Sequence, residues 1–559
     1  MTTIDDTRPD VSTAADWRCC PACRSMIYTK RWSRTDGVCP DCGAHGRLAA
    51  RARIGQLADP GSFVDLPVEL PAPDPLGFVD SRPYAGRLDN ARALTGEQEA
   101  VVCGHCTVDG HRLVLAVMDF RFLGGSLGTG VGELLVLAAE HALLHRLPLL
   151  VVTASGGARM QEGVLSLLQM AKVSQAVAAL DEAGLLFVTV ITDPTYGGVA
   201  ASFATQADVI IAEPGARLGF AGPRVIRDTL GVRLPPGFQT AEFLLEHGAI
   251  DLICGRGELR DVLARLLGAA AGRSPSGAVE PDTLIRDADR LPERGAWDVV
   301  ALARHPDRPT GRDYVNLLAD SFVELHGDRL AADSPSIVGG IADLGGTPVM
   351  VVATQKGHST RELIASNFGM AGPEGYRKAL RLFRLAEKLG LAVVTLVDTP
   401  GAHPGLDAER NGQAAAIAAN ILALTALRVP VVAVITGEGG SGGALALAVG
   451  DRVLMCANSV YSVISPEGCA AILWHAGAAP MAAVALRITA PDLLRLGVVD
   501  GVIDEPDGGA HTDPAGAANR LGAAIRHGLA ELSGLPADEL VARRRTRLRR
   551  IGAPTSNGA

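Results

Sequence analysis

The sequence predicts an α/β protein in which two tandem domains of one kind follow a small four-cysteine ribbon. Three observations predict it. Apolar, strand-like runs alternate with Ala- and Leu-rich helical runs through most of the 559 residues. Blocks of the first half recur in the second about 244 residues later. Near the N-terminus four cysteines stand as two C-x2-C pairs, fifteen residues apart.

Composition narrows the class. Apolar residues make up 48%, enough to bury large cores, and aromatics only 4%. So few rings disfavour a stacking platform for single-stranded nucleic acid. The net charge of −9 lacks the basic excess of a nucleic-acid binder. The one dense basic run, Arg543 to Arg550, reads as a solvated helix face. The opening MTTIDDTRPD is polar and acidic, so it is not a signal peptide. Apolar runs are broken by Arg, His, Glu or Pro before about 18 residues, so no membrane span is expected. Ten cysteines, four at metal spacing, suggest a reducing compartment, and the protein reads as cytoplasmic.

Along the chain, residues 1–16 form a polar, disordered lead-in and 17–45 the ribbon. The first large domain spans 46–268, with a Pro- and Gly-rich irregular stretch from about 60 to 90. Its strands read at 112–120, 147–157 and 185–193, and its helices near 133–146 and at 164–180. Residues 269–294 are a linker, small and polar with Pro and Gly. The second domain spans 295–550, with strands at 346–357, 391–402 and 428–440, and 551–559 is a tail. VVTASGGAR (151–159) aligns with TLVDTPGAH (395–403), VTVITDPTYGGVAAS (188–202) with VAVITGEGGSGGALA (432–446), and ADVIIAE (207–213) with GDRVLMC (450–456). A period this long is a duplicated domain; solenoid periods run about 20–50.

The ribbon's ligands read as Cys20, Cys23, Cys39 and Cys42. Two such knuckles place four thiolates around one tetrahedral Zn²⁺, and a closed site of this kind is structural. Cys19 adjoins Cys20 but breaks the symmetric knuckle. Cys103 and Cys106 repeat the spacing with no partner pair. In a strand, residues three apart face opposite sides, so these two read as buried strand cysteines.

Four glycine turns follow strands: Ser155-Gly156-Gly157-Ala158, Gly197-Gly198, Thr399-Pro400-Gly401-Ala402 and Ser441-Gly442-Gly443-Ala444. Glycine lets main-chain N–H groups approach a ligand. A helix N-terminus adds free donors and a positive dipole end. Two donors converging on one point form an oxyanion hole. Two other motifs overlap the last turn. Gly439-x-Ser441-x-Gly443 fits a nucleophile elbow, for which Asp451, His475 and His511 are candidate partners. The first half, however, has Tyr196 where a nucleophile would stand. Gly437-x-Gly439-x-x-Gly442 fits a dinucleotide fingerprint without its acidic residue. No Walker A motif is present.

These residues resemble the carboxyltransferase of bacterial acetyl-CoA carboxylase. Residues 17–254 are similar to its β subunit, through the ribbon, FLGGSLG (122–128), ASGGARMQEG (154–163), TDPTYGGVAASFA (192–204), GFAGPRVI (219–226), LPPGFQ (234–239) and EHGAID (246–251). Residues from about 296 to 550 are similar to its α subunit, through ARHPDRP (303–309), GDRL (327–330), QKG (355–357), NFGM (367–370), PEGYRKALRL (373–382), DTPGA (398–402), GEGGSGGALAL (437–447), YSVISPEGCAAILW (461–474) and GGAH (508–511). The chain thus resembles a β–α fusion. Two departures stand out: the linker leads almost directly to GAW (295–297), and His403 stands where an aromatic is usual.

The resemblance implies a crotonase-like (ClpP/crotonase) fold in each half, and halves that meet to form one active site. It implies transfer of a carboxyl group from carboxybiotin on a biotin carboxyl carrier protein to acetyl-CoA. The product, malonyl-CoA, opens fatty acid biosynthesis. A biotin carboxylase in the holo-complex and a homodimer of fused chains are the implied partners. Gly197 and Gly198, with Gly157 assisting, would hold the thioester oxygen. Gly442 and Gly443, with Gly401 assisting and Ala444 adjoining, would hold the biotin ureido oxygen. Acyl selectivity for acetyl- over propionyl-CoA would depend on pocket size near Ala444 and Ala446.

Overall fold

The computed structural model describes residues 17–67, 70, 74–272 and 281–552. The expected lead-in, residues 273–280 of the expected linker and 553–559 of the expected tail lie outside them. The chain divides into two compact units. One runs to Leu180 and includes Phe187–Phe243 and Ile253–Leu263; the other holds Asp181–Leu186, Leu244–Leu252 and the chain from Ala264 on.

The first unit begins with the ribbon, a hairpin of Trp17–Cys19 and Met26–Tyr28 followed by helix Thr29–Arg34. Its small core is Ile27 and Trp32 beside Cys20 and Cys39. The main sheet starts with an antiparallel hairpin, Val101–Val108 and His111–Met118, closed by Asp109-Gly110. Both turn residues have positive φ (49° and 78°), matching the right-handed twist of the strands. Parallel strands Leu149–Ser155, Phe187–Tyr196 and Val209–Ala212 continue the sheet. Leu149–Ser155 is buried along its whole length, as expected where crossover helices cover both faces of a parallel sheet.

Two crossover helices, Thr129–His145 and Gly163–Glu182, make the parallel connections. The segment Met160–Glu182 is the one among the described residues long and apolar enough to cross a membrane, against the sequence expectation. It joins two adjacent parallel strands and buries Ser166, Gln169, Val173, Ala176 and Leu180. A helix tied into a βαβ crossover is a layer of the fold.

The second unit repeats the plan. Ser321–Glu324, Ile337–Asp343 and Pro348–Thr354 are antiparallel. Ala392–Thr399, Val431–Gly440, Arg452–Cys456 and Gly501–Ile503 follow in parallel. Its core packs Val351, Val394, Leu396, Val434 and Leu454 against Leu521, Ile525 and Leu529 of helix Pro514–Leu532. The duplication reaches the backbone irregularities. Register shifts between Thr153 and Ser155 in one sheet, and between Val397 and Thr399 in the other, 244 residues on.

The stretch from 60 to 90 is not irregular throughout. A helix runs Tyr84–Thr95, capped by Pro83 before it and by Gly96 (φ 76°) after it. Proline's fixed φ suits a helix start, and glycine's left-handed freedom suits its end.

Candidate functional site

The turns form where two neighbouring parallel strands end side by side. In the first unit Ser155 lies opposite Thr195. Beyond Ser155, the Gly156 N–H donates to Gly124 O (2.8 Å), the Gly157 N–H to Ser155 Oγ (3.1 Å) and the Arg159 N–H to Leu127 O (2.8 Å). Among the described residues, the Ala158 amide is the one in this turn without an acceptor. On the adjoining strand end the Gly197 N–H donates to Phe220 O (3.1 Å). Gly198 then lies in the first turn of helix Gly197–Ala200, where no intrahelical acceptor exists. A Cβ on Gly198 would stand 3.6 Å from the Ala158 Cβ, so the two residues adjoin. Gly197 must be small: its φ is 61°, and a Cβ there would come 2.9 Å from Gly157 Cα.

The second unit repeats two of these bonds, while Pro400, at the position of Gly156, has no N–H to give. Thr399 lies opposite Gly439. The Gly401 N–H donates to Thr399 Oγ1 (3.1 Å) and the His403 N–H to Ala371 O (3.0 Å). The Ala402 amide is left without an acceptor among the described residues. Gly442 lies in the first turn of helix Ser441–Leu445.

The 244-residue spacing pairs the residues of the two turns. Gly198 matches Gly442, not Gly443, and Gly197 matches Ser441, whose φ is likewise positive at 53°. Gly443 adjoins the Ala402 amide: a Cβ there would run into the Ala402 nitrogen and would lie 2.6 Å from the Gly401 carbonyl carbon and 2.7 Å from Tyr376 Oη. The amides of Gly157, Gly197 and Gly401 are already bonded, and Ala444 and Ala446 are fully buried. Ala158 with Gly198, and Ala402 with Gly442, are thus amides at equivalent places in the two turns that have no acceptor among the described residues. Sequence reasoning missed both alanines. Each directly follows a glycine, Gly157 or Gly401, at the 244-residue spacing, and that was the available signal.

Buried ion pairs brace both turns. Arg159, 1% exposed, donates to both Glu99 oxygens (2.9 and 2.8 Å) and to Ser126 O (3.0 Å). Glu162, also buried, accepts from Tyr84 Oη (2.6 Å). In the second unit Lys356 Nζ donates to Asp398 (2.7 Å), one residue before its strand's end, and to Glu438 (2.9 Å), two before its own. Arg304 donates to Glu438 from the other side (2.6 Å). Burial opposes the charges at Lys356 and Glu438. Asp398 and Glu438 outweigh it at Lys356, raising the ammonium above its ordinary value, and Lys356 and Arg304 outweigh it at Glu438, lowering the carboxyl below its own.

Two of the candidate partners of Ser441 are engaged elsewhere. Asp451, a candidate partner of Ser441, is held by the fully buried Arg544 (3.0 and 2.6 Å) and by the Val431 N–H (2.8 Å). His511 stacks on His305 with centroids 3.6 Å apart.

The four thiols of Cys20, Cys23, Cys39 and Cys42 lie within 4.8 Å of one another. Two sulfur pairs are 3.7 and 3.8 Å apart. Four thiolates at the usual metal–sulfur distance of about 2.3 Å in a tetrahedron have edges of about 3.8 Å, so this donor set fits a tetrahedral metal. Matching turns bring them together: Arg24 N–H to Cys20 O (3.0 Å), and Gly43 N–H to Cys39 O (2.8 Å). Cys19 Sγ points instead to the Cys20 and Arg24 carbonyls. Cys103 and Cys106 are buried in strand Val101–Val108, and burial pushes the Cys106 thiol up to about 12.

The ribbon is fastened to the sheet by Arg256. It donates to Asp36 O and Gly46 O (2.6 Å each) and to both Glu213 oxygens (2.7 and 2.8 Å). Arg53 meets the same carboxylate at 2.5 Å. Burial pushes the Glu213 carboxyl up, but His45 and the two guanidiniums outweigh it and hold it well below the carboxylate range.

Comparison with known proteins gives a family. A model described as acetyl co-enzyme A carboxylase carboxyltransferase-like matches residues 289–552. A protein of Salinispora arenicola, named acetyl-coenzyme A carboxylase carboxyl transferase subunits beta/alpha, is 63% identical over 545 residues, 96% of each chain. One of the same name from Clostridium tetani is 42% identical over 537 residues, covering 96% of this chain and 93% of its own. Among solved structures, transcarboxylase 12S with methylmalonyl-coenzyme A bound superposes with a TM-score of 0.67 at 24% identity, over 87% of this chain and 90% of its own. That likeness speaks to the fold: two crotonase-like domains in tandem. The chain belongs to the acetyl-CoA carboxylase carboxyl transferase family, in the fused beta/alpha form.

Proposed function

We propose that this chain is the carboxyltransferase of an acetyl-CoA carboxylase, moving the carboxyl group of carboxybiotin to acetyl-CoA to form malonyl-CoA, the first committed step of fatty acid biosynthesis. The observation that carries the mechanism is the duplicated pair of free amides. Carboxyl transfer develops negative charge on two oxygens, that of the thioester enolate and that of the biotin ureido group. Ala158 and Gly198 hold the first; Ala402 and Gly442 hold the second. Each pair stabilises charge as it forms, which is where such donors lower a barrier most. Loss of the carboxyl group from carboxybiotin leaves a ureido nitrogen that takes the α proton of acetyl-CoA. The resulting enolate carbon then bonds to the released CO2. The protein supplies position and electrostatics.

The four-thiol site holds zinc as a closed structural centre. Carboxybiotin arrives on a carrier protein charged by a biotin carboxylase, and two fused chains associate as a dimer in the cytoplasm. Exposed apolar side chains on helix Gly163–Glu182, among them Val164, Leu167 and Leu168, support an association face. The experiment is the reverse reaction, biotin-dependent loss of the carboxyl group from malonyl-CoA on the purified chain. Turnover that requires biotin supports the reading; none with metal-loaded, folded protein overturns it.

A further inference from the structure

The two halves of the repeat hold the same kink by different means. In each, one residue of the first strand spans three of the next: Ala154 spans Thr192, Asp193 and Pro194 in the first unit, and Asp398 spans Thr436, Gly437 and Glu438 in the second. The amides without acceptors follow at a fixed distance. Ala158 and Ala402 come four residues after Ala154 and Asp398, and Gly198 and Gly442 four after Pro194 and Glu438. Where the first unit has alanine and proline, neither of them charged, the second has two acids.

Lys356 joins those two acids. Its ammonium donates to Asp398 Oδ1 (2.7 Å) and Glu438 Oε2 (2.9 Å) at once. Asp398 Oδ1 also accepts the Glu438 N–H (2.8 Å), and Gly437 leaves room for that carboxylate, which a Cβ there would overlap. Arg304 holds the other Glu438 oxygen (2.6 Å), and Arg308 the Thr436 carbonyl (2.7 Å). Among the described residues Asp398 has one cationic partner, Lys356, whereas Glu438 has a second in Arg304. The side chains of Lys356, Asp398 and Glu438 are 16%, 9% and 10% exposed, so solvent screens these charges little.

We propose that Lys356 is a positioning residue for carboxyl transfer: by binding Asp398 and Glu438 together it fixes the spacing of the Ala402 and Gly442 amides, which receive the biotin ureido oxygen. The proposal rests on the carboxyltransferase reading. Between each acid and its amide the chain is short and rich in glycine, with Gly401 on one side and Gly439 and Gly440 on the other. Glycine gives such a segment conformational freedom, so its base has to be held. Without the ammonium, two poorly screened carboxylates face each other and push the strand ends apart. Ala154 and Pro194 carry no charge to repel, so the first unit needs no such clamp. A displacement of about 1 Å at a reacting group costs about 10²-fold in rate. The loss should fall on the biotin half of the reaction, because Ala158 and Gly198 belong to the other unit.

The test is biotin-dependent decarboxylation of malonyl-CoA by the full chain, with K356M and K356M/D398N beside wild type and a melting curve for each. K356M alone strands a buried carboxylate and should melt lower. In the double variant the new amide oxygen still accepts the Glu438 N–H and Glu438 keeps Arg304, so melting should return close to wild type. With the clamp gone, kcat/KM for biotin should stay about 100-fold down in both variants, while KM for malonyl-CoA stays within about threefold of wild type. A double variant that melts like wild type and keeps kcat/KM for biotin within about threefold overturns the positioning role. So does a KM for malonyl-CoA that rises as far as kcat/KM for biotin falls, or the failure of both variants to fold; either makes Lys356 a residue of stability alone. A folded, metal-loaded wild-type chain that never decarboxylates malonyl-CoA would instead sink the carboxyltransferase reading itself, and the clamp's part in transfer with it.

Discussion

Replacing Gly198 by proline removes its amide hydrogen from the first turn. Position 198 lies in the first turn of its helix, where proline forfeits no intrahelical bond. Gly198 is not among the glycines with positive φ. A Cβ there meets Met170 Sδ at 3.4 Å and Ala158 Cβ at 3.6 Å, ordinary contacts with side chains. The stability cost should be small, on the order of 1 kcal/mol. The catalytic cost is one of two donors to the thioester oxygen, about 2.7–4 kcal/mol, or about 10²–10³ in turnover. G198A keeps the amide and serves as control, with turnover within about fivefold of wild type if the donor alone matters. The assay is biotin-dependent malonyl-CoA decarboxylation beside a melting curve. G198P that melts normally and keeps a third or more of wild-type turnover would refute the donor role.

At Gly443 the smallest added side chain meets the Gly401 backbone at 2.6 Å, so G443A should lose about 1–3 kcal/mol of stability, while G442A, which meets only Ile417 Cγ2 at 3.9 Å, should melt like wild type. Equal melting of the two variants would contradict this packing. C39S should lose the bound metal while C103S and C106S keep it, read by elemental analysis of the purified chains; metal retained by C39S places the centre elsewhere. R256A leaves Glu213 short of a partner and the ribbon carbonyls of Asp36 and Gly46 without their donor, which should cost about 3–5 kcal/mol in denaturant titration and expose the ribbon to protease. The buried carboxyls of Glu438 and Glu505 are pushed up by burial, yet Lys356, Arg304 and Arg308 hold them below their ordinary value near 4.5. A depressed folded value means the stabilisation is present above that pH and disappears as pH falls through the folded values. The melting temperature should be flat above about pH 6 and fall below about pH 4; one unchanged down to pH 3 would exclude these pairs as contributors.

Much of the architecture was legible because it is written in periodicity. Strands such as Leu149–Ser155 and Val431–Gly440 are long apolar runs, and the spacing of two repeat blocks carried over unchanged to the register shifts at Ser155 and Thr399. The metal cluster was legible because Cys20, Cys23, Cys39 and Cys42 encode their own geometry in spacing. The donors were only half legible. Glycines advertise a turn, but which amide is free depends on which ones Ser155, Thr399 and Phe220 already occupy, and those partners are set by the fold. For the same reason Ala158 and Ala402 drew no notice. Arg159 and Lys356 lay inside runs that marked the family, yet nothing local assigned them to Glu99 or Glu438, which lie 60 and 82 residues away. The helix from Tyr84 was hidden by the surrounding prolines and glycines, which cap it as well as interrupt the chain.

The most direct measurement is a crystal structure of the chain with malonyl-CoA and biotin bound. The thioester oxygen should lie about 2.7–3.1 Å from the amide nitrogens of Ala158 and Gly198, and the ureido oxygen as close to those of Ala402 and Gly442. Both oxygens beyond hydrogen-bond reach of these four amides, with the ligands otherwise ordered, would contradict the account.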